Sequence, residues 1–167
     1  SYINLDIKAP PLKSVCHREL IVNFILGARG KYLEESPDDN DDIRATKSCL
    51  RALENEDSET VVLNCNESGS TLRIMIPVAL AVKSSNVKTL IFRTRGRLIE
   101  RPIKELAECL EPFGVKITKD VEANEIIVTG NIKTGKYVID GSGSSQYISG
   151  LLMALSAFDG ESSVEGT

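Results

Sequence analysis

A chain of 167 residues, 41% of them hydrophobic, is long enough to bury one real core and has an ordinary globular composition. Its formal net charge of −4 leaves no basic footprint for nucleic acid. No apolar run approaches the ~20 residues that a membrane span needs. The four cysteines and the single histidine, His17, lack the short spacing of a metal site. Cys16, Cys49, Cys65 and Cys109 are therefore expected to be buried free thiols in a reducing, cytosolic compartment. The chain opens on Ser1 without a charged-then-apolar leader and closes on the polar "DGESSVEGT". Both ends are expected to be internal boundaries of a longer protein.

Taken in order, "INLDIKA" at 3–9 alternates as a strand does, and Pro10 and Pro11 end it. The apolar "KSVCHRELIVNFILGA" predicts a helix to about Ala28, with Gly30 as its stop. "KYLEE" is a short strand candidate. "SPDDNDDIRATKSCLRALE" predicts an amphipathic helix capped by Ser36 or Asp39, with early aspartates at the positive end of its dipole. Ile43, Cys49, Leu50 and Leu53 would form its inner face. The acidic "ENEDSE" that follows reads as a solvated loop.

"TVVLNC" predicts a strand running into a second apolar helix, "SGSTLRIMIPVALAV". "KTLIFRT" is the next strand. "RPIKELAECLEPFG" predicts a second amphipathic helix with Pro102 in its first turn. Ile103, Leu106, Ala107 and Leu110 would face inward, with Gly114 past its end. "VKITKDV", "EIIVTG" and "KYVIDG" are three strands. A third apolar helix runs from "SGSSQY" to about Phe158. This order is an α/β (α+β) arrangement of repeated βαβαββ units, about two full ones and the opening of a third.

The three apolar helices share a device. Each begins with hydroxyl residues, around Ser14, Ser70 and Ser144, and then carries little charge. Such helices are expected to be buried on all sides, with polar starts. A helix start offers unpaired N–H groups and a positive dipole end, so three starts facing one cleft would hold an anionic ligand. Lys13, Arg18, Arg73 and Arg101 stand beside these starts and would strengthen such a site.

These segments, in this order, resemble the 5-enolpyruvylshikimate-3-phosphate synthase (3-phosphoshikimate 1-carboxyvinyltransferase) family. "APPLKSVCHREL" resembles the family's Pro-x-Ser-Lys-Ser segment followed by Arg. "NESGSTLR" resembles its Asn-Ala/Ser-Gly-Thr turn ending in Arg. "RPIKELAECLEPFGVKI" resembles its Arg-Pro segment, and "GSSQYISGLLMA" its Ser-Ser-Gln helix start. The resemblance covers nearly the whole chain. It implies an enolpyruvyl transferase domain with three buried parallel helices over residues 1–167, incomplete, with the second domain of the enzyme lying elsewhere.

The reaction so implied transfers the enolpyruvyl group of phosphoenolpyruvate to the 5-hydroxyl of shikimate 3-phosphate, without metal or organic cofactor. By resemblance, Ser14, Arg18, Ser144, Ser145 and Gln146 bind shikimate 3-phosphate. Lys13, Gly69, Arg101 and Gln146 bind phosphoenolpyruvate, and Lys13 also takes part in proton transfer. The family's catalytic Asp and Glu belong to its other, C-terminal half, so this chain alone is expected to be inactive. Three departures stand out: Leu12 for a Ser, Glu67 for an Asn, and Ile74 where some members have Pro. The related UDP-N-acetylglucosamine enolpyruvyl transferase lacks the Ser-Ser-Gln signature and usually carries a reactive Cys near its Arg-Pro segment. No Cys lies between Cys65 and Cys109. A non-catalytic phosphate-binding module or pseudoenzyme of the same fold stays open as the alternative.

Overall fold

The computed structural model describes residues 12–141, 143 and 145–167, and side chains from residue 16 onward. The strand expected at 3–9 lies outside the described residues. The helices and strands, in chain order, are α1 (Leu12–Ile25), α2 (Asp41–Leu53), β1 (Thr60–Asn66), α3 (Gly69–Val82), β2 (Thr89–Thr94), α4 (Lys104–Leu110), β3 (Lys116–Asp120), β4 (Glu125–Thr129), β5 (Lys136–Ile139), α5 (Ser145–Leu155) and β6 (Ser163–Gly166). None of the described helices is long and apolar enough to cross a membrane.

Strand alternation sets the sheet. β1 to β4 pair in the order β1-β2-β4-β3, with β1 and β2 parallel and the other pairs antiparallel. The register stacks Val61, Leu90 and Val128 in one inward row and Leu63, Phe92 and Ile126 in the next. Residues between them, such as Val62, face outward. Thus β1-α3-β2-α4-β3-β4 is one complete βαβαββ unit. β5, α5 and β6 open another, with β5 and β6 parallel in a small sheet of their own. The described residues therefore hold one full unit, not about two.

α3 and α5 form the centre. Leu72, Ile74, Met75, Ile76, Val78 and Ala79 of α3 are buried, as are Tyr147, Leu151, Met153 and Ala154 of α5. Gly150 lets the two backbones touch. A Cβ there would lie 2.9 Å from Ile74 Cα, Ile74 O and Pro77 Cγ.

Several expectations change in detail. α1 is not buried all round. It turns His17, Leu20, Ile21 and Phe24 inward and leaves Cys16, Glu19, Val22 and Asn23 exposed. Cys16 is thus an exposed thiol, whereas Cys49, Cys65 and Cys109 are buried and free. α1 stops at Ile25, where Gly27 takes a left-handed φ of 104° and Ala28 N bonds back to Asn23 O, five residues before the expected Gly30 would act. "KYLEE" supplies one 3₁₀ turn, Lys31–Leu33, that buries Leu33. Asn40, not Ser36 or Asp39, caps α2, its side chain accepting from Ile43 N at 2.9 Å. Asp39 instead pairs with Lys47. Pro102 precedes α4, and its carbonyl accepts the Tyr147 hydroxyl at 3.2 Å. Ala107 is only half-buried. α5 ends at Leu155, before Phe158.

Candidate functional site

The starts of α2, α3 and α5 and the second turn of α1 meet at one hollow of about 360 Å³. α1 contributes His17 and Arg18, α2 contributes Asn40 and Asp42, α3 contributes Ser70, and α5 contributes Ser145, Gln146 and Ser149. Bonds between helices hold it together. Arg18 Nη2 donates to Ser149 Oγ at 3.3 Å. Arg73 Nη1 donates to Gln146 Oε1 at 3.0 Å. Of the three starts expected to converge, those of α3 and α5 line this hollow with the second turn of α1, and the start of α2 joins them.

A second hollow of about 440 Å³ adjoins the first through Asp42, Ser70 and Gln146, and is lined further by Gly69, Arg73, Arg97 and Arg101. It opens where β1 passes into α3, the carboxyl end of a parallel strand. Gly69 keeps it open. A Cβ there would sit 3.1 Å from Arg73 Nη1 and 3.5 Å from Arg101 Nη1. Two guanidinium groups thus stand over the first residue of α3. Ser68 caps that helix, its Oγ accepting from Thr71 N at 3.2 Å.

Two carboxylates share this cationic setting. Glu67 lies over the turn after β2. Gly96 has a left-handed φ of 59° there, and a Cβ on it would overlap Glu67 Oε1. The glutamate packs against that turn, beside Arg95, and also lines the second hollow with Gly69, Arg97 and Arg101. Asp42 has its Oδ1 engaged by Ser68 Oγ at 2.5 Å. Beside it, burial pushes the His17 imidazole below its ordinary pKa of 6.5, with Asp42 opposing the shift and Arg18 adding to it.

The described structure thus brings Arg18, Ser145 and Gln146 together in the first hollow, and Gly69, Arg101 and Gln146 in the second. Lys13 and Ser14 fall in the first turn of α1, but their side chains, and the whole of Ser144, lie outside the described residues. Sequence reasoning missed His17 and Asp42. Asp42 was read only as a favourable charge at a helix start. An Asn three residues ahead of Ile43 was the cap signal that would have marked α2 as a further polar start.

The family model for EPSP synthase (3-phosphoshikimate 1-carboxyvinyltransferase) matches residues 1–167. The 3-phosphoshikimate 1-carboxyvinyltransferase of Clostridium perfringens (strain SM101 / Type A) is 33% identical over 95% of this chain and 40% of its own length. That of Clostridioides difficile (strain 630) is 30% identical over 98% of this chain and 42% of its own. The chain therefore spans about two fifths of the length of these curated relatives. Among solved structures, EPSP synthase from Acinetobacter baumannii matches with a TM-score of 0.63 at 21% identity, over 95% of this chain and 39% of that one, a likeness of fold. With the family model matched from end to end over a site of converging helix starts, this chain belongs to the EPSP synthase family.

Proposed function

We propose that this chain forms one side of the substrate cleft of a 3-phosphoshikimate 1-carboxyvinyltransferase, which moves the enolpyruvyl group of phosphoenolpyruvate onto shikimate 3-phosphate. The meeting of the starts of α2, α3 and α5 with Arg18 of α1 at one hollow carries this reading. Anions are stabilised at helix starts by unpaired N–H groups and by the dipole. Ser145 with Ser144, Gln146, Ser14 and Arg18 take shikimate 3-phosphate. Gly69, Arg101 and Gln146, with Lys13, take phosphoenolpyruvate, and Lys13 moves a proton.

Arg101 suits that part. Its guanidinium stands over Gly69 and has no hydrogen-bond or ion-pair partner among the described residues. A charge-assisted bond to a carboxylate or phosphate contributes about 1.5–3 kcal/mol. Turnover draws on the other half of the enzyme, so the chain alone releases no phosphate from the two substrates above a protein-free control.

Calorimetric titration of the chain tests the reading. Shikimate 3-phosphate binds and shikimate binds at least tenfold more weakly, and Ser144→Ala with Ser145→Ala removes most of that difference. Equal binding of the two compounds, or a double variant that behaves as wild type, contradicts it.

A further inference from the structure

We propose that His17 is a positioning residue of this cleft: a neutral Nε2–H imidazole that heads a one-way chain of hydroxyls fixing the Asp42 carboxylate at the rim. The inference rests on the cleft reading given above and deepens it. The chain runs through three helices. His17 Nε2 lies 2.5 Å from Thr46 Oγ1, Thr46 Oγ1 lies 2.9 Å from Thr71 Oγ1, and Thr71 Oγ1 lies 2.8 Å from Ser68 Oγ and 3.1 Å from Asp42 O. Ser68 Oγ reaches Asp42 Oδ1 at 2.5 Å. His17, Thr46, Thr71 and Ser68 are all buried.

Proton counting sets the direction. A carboxylate only accepts, so Ser68 gives its one proton to Asp42. Thr71 must then give its proton to Ser68 Oγ or to the Asp42 carbonyl. Thr46 can therefore only donate to Thr71, and no proton remains on it for the ring. His17 must supply the hydrogen through Nε2. With Nε2–H the four protons satisfy four of these five contacts, against three with the Nδ1–H tautomer.

The purpose follows from what surrounds Asp42. It borders both hollows, next to Arg18, Ser70 and Gln146 in one and Arg73 and Arg101 in the other. A free carboxylate among cations and helix starts would itself occupy the place of an anionic ligand. Tethering Oδ1 to Ser68 holds it at the rim, and His17 holds the tether's far end.

The chain has a single histidine, so its ring signals are unambiguous in NMR. Long-range ¹H–¹⁵N spectra at neutral pH are expected to show the Nε2–H tautomer. Thr46→Val and His17→Phe each remove one proton of the chain and are expected to weaken shikimate 3-phosphate binding about fivefold, the size of one hydrogen bond. His17→Gln, which keeps an N–H donor, restores it. In an Asp42→Asn background neither change alters affinity, a result that a merely structural histidine would not give. An Nδ1–H tautomer, or wild-type affinity in a folded Thr46→Val chain, overturns the proposal. Should the wild-type chain not bind shikimate 3-phosphate, the cleft reading fails on its own. The relay is then decided by the Asp42 ¹³Cγ resonance, which shifts in His17→Phe or Thr46→Val and returns in His17→Gln; an unmoved resonance overturns it.

Discussion

The α3–α5 seam and the α1–α2 seam solve the same problem with opposite chemistry. At the first, below the Arg73–Gln146 hydrogen bond at its mouth, Gly150 brings backbone against backbone and the neighbours are Ile74, Pro77 and other apolar groups. At the second, His17 meets Thr46 through a buried hydrogen bond. On its far side α2 is tied down by Lys47, whose Nζ reaches Asp39 Oδ2 at 2.8 Å and Glu34 O at 2.9 Å. The apolar seam is held by close packing and tolerates no added volume. The polar seam aims side chains, because each hydrogen bond fixes a direction. The helix pair with polar contacts carries Arg18, Asp42 and His17 into the cleft. The apolar pair forms the floor on which Ser70 and Gln146 stand.

Substitutions can break this contrast in turn. The largest loss is expected from Lys47→Met. It strands Asp39 and the Glu34 carbonyl, with only 10% of the Asp39 side chain exposed, and should cost about 3 kcal/mol in urea denaturation. A loss below 1 kcal/mol would show this tie on the far side of α2 to be dispensable. Gly150→Val comes next, at about 2 kcal/mol by the same measurement, because its side chain must displace Ile74 or Pro77. Asn40→Ala should cost about 1 kcal/mol by leaving Ile43 N without its cap.

The last expectation is a direction in pH. The folded chain holds His17 below 6.5, burial being the main cause, so the unfolded chain protonates first as pH falls. The part of the folded state's stability that rests on a neutral His17 is complete well above pH 6.5 and is lost as pH falls from there through the lowered value. Denaturation midpoints of wild type and His17→Gln between pH 7.5 and pH 5 check this. The variant should lack that part of the fall.

Much of this was legible from sequence where one physical signal dominated. Short apolar runs set off by turn residues marked "TVVLNC" and "EIIVTG" as strands, and β1-α3-β2-α4-β3-β4 follows the expected order. Hydroxyl starts before apolar runs marked α3 and α5, and these two starts converge at Ser70 and Ser145, with Arg18 beside them. What escaped depended on distant partners. Asp39 was a plausible cap until Lys47, eight residues on, claimed it. "LIVNFIL" hid the exposed face of α1, because Val22 sits in line with Glu19 and Asn23 rather than with Ile21 and Phe24. His17 looked like an isolated histidine, since Thr46 and Thr71 come from other helices.

On the proposed function, the starts of α2, α3 and α5 and the second turn of α1 make one phosphate-reading cleft. Amide ¹H–¹⁵N spectra of the labelled chain, titrated with shikimate 3-phosphate and separately with shikimate, test it most directly. The phosphorylated compound should move the amides of His17, Arg18, Asp42, Ser70, Ser145 and Gln146 together, along one saturating curve, while shikimate moves them little at the same concentration. Shifts scattered over β3, β4 and α4, or the same response to both compounds, would contradict a shared cleft.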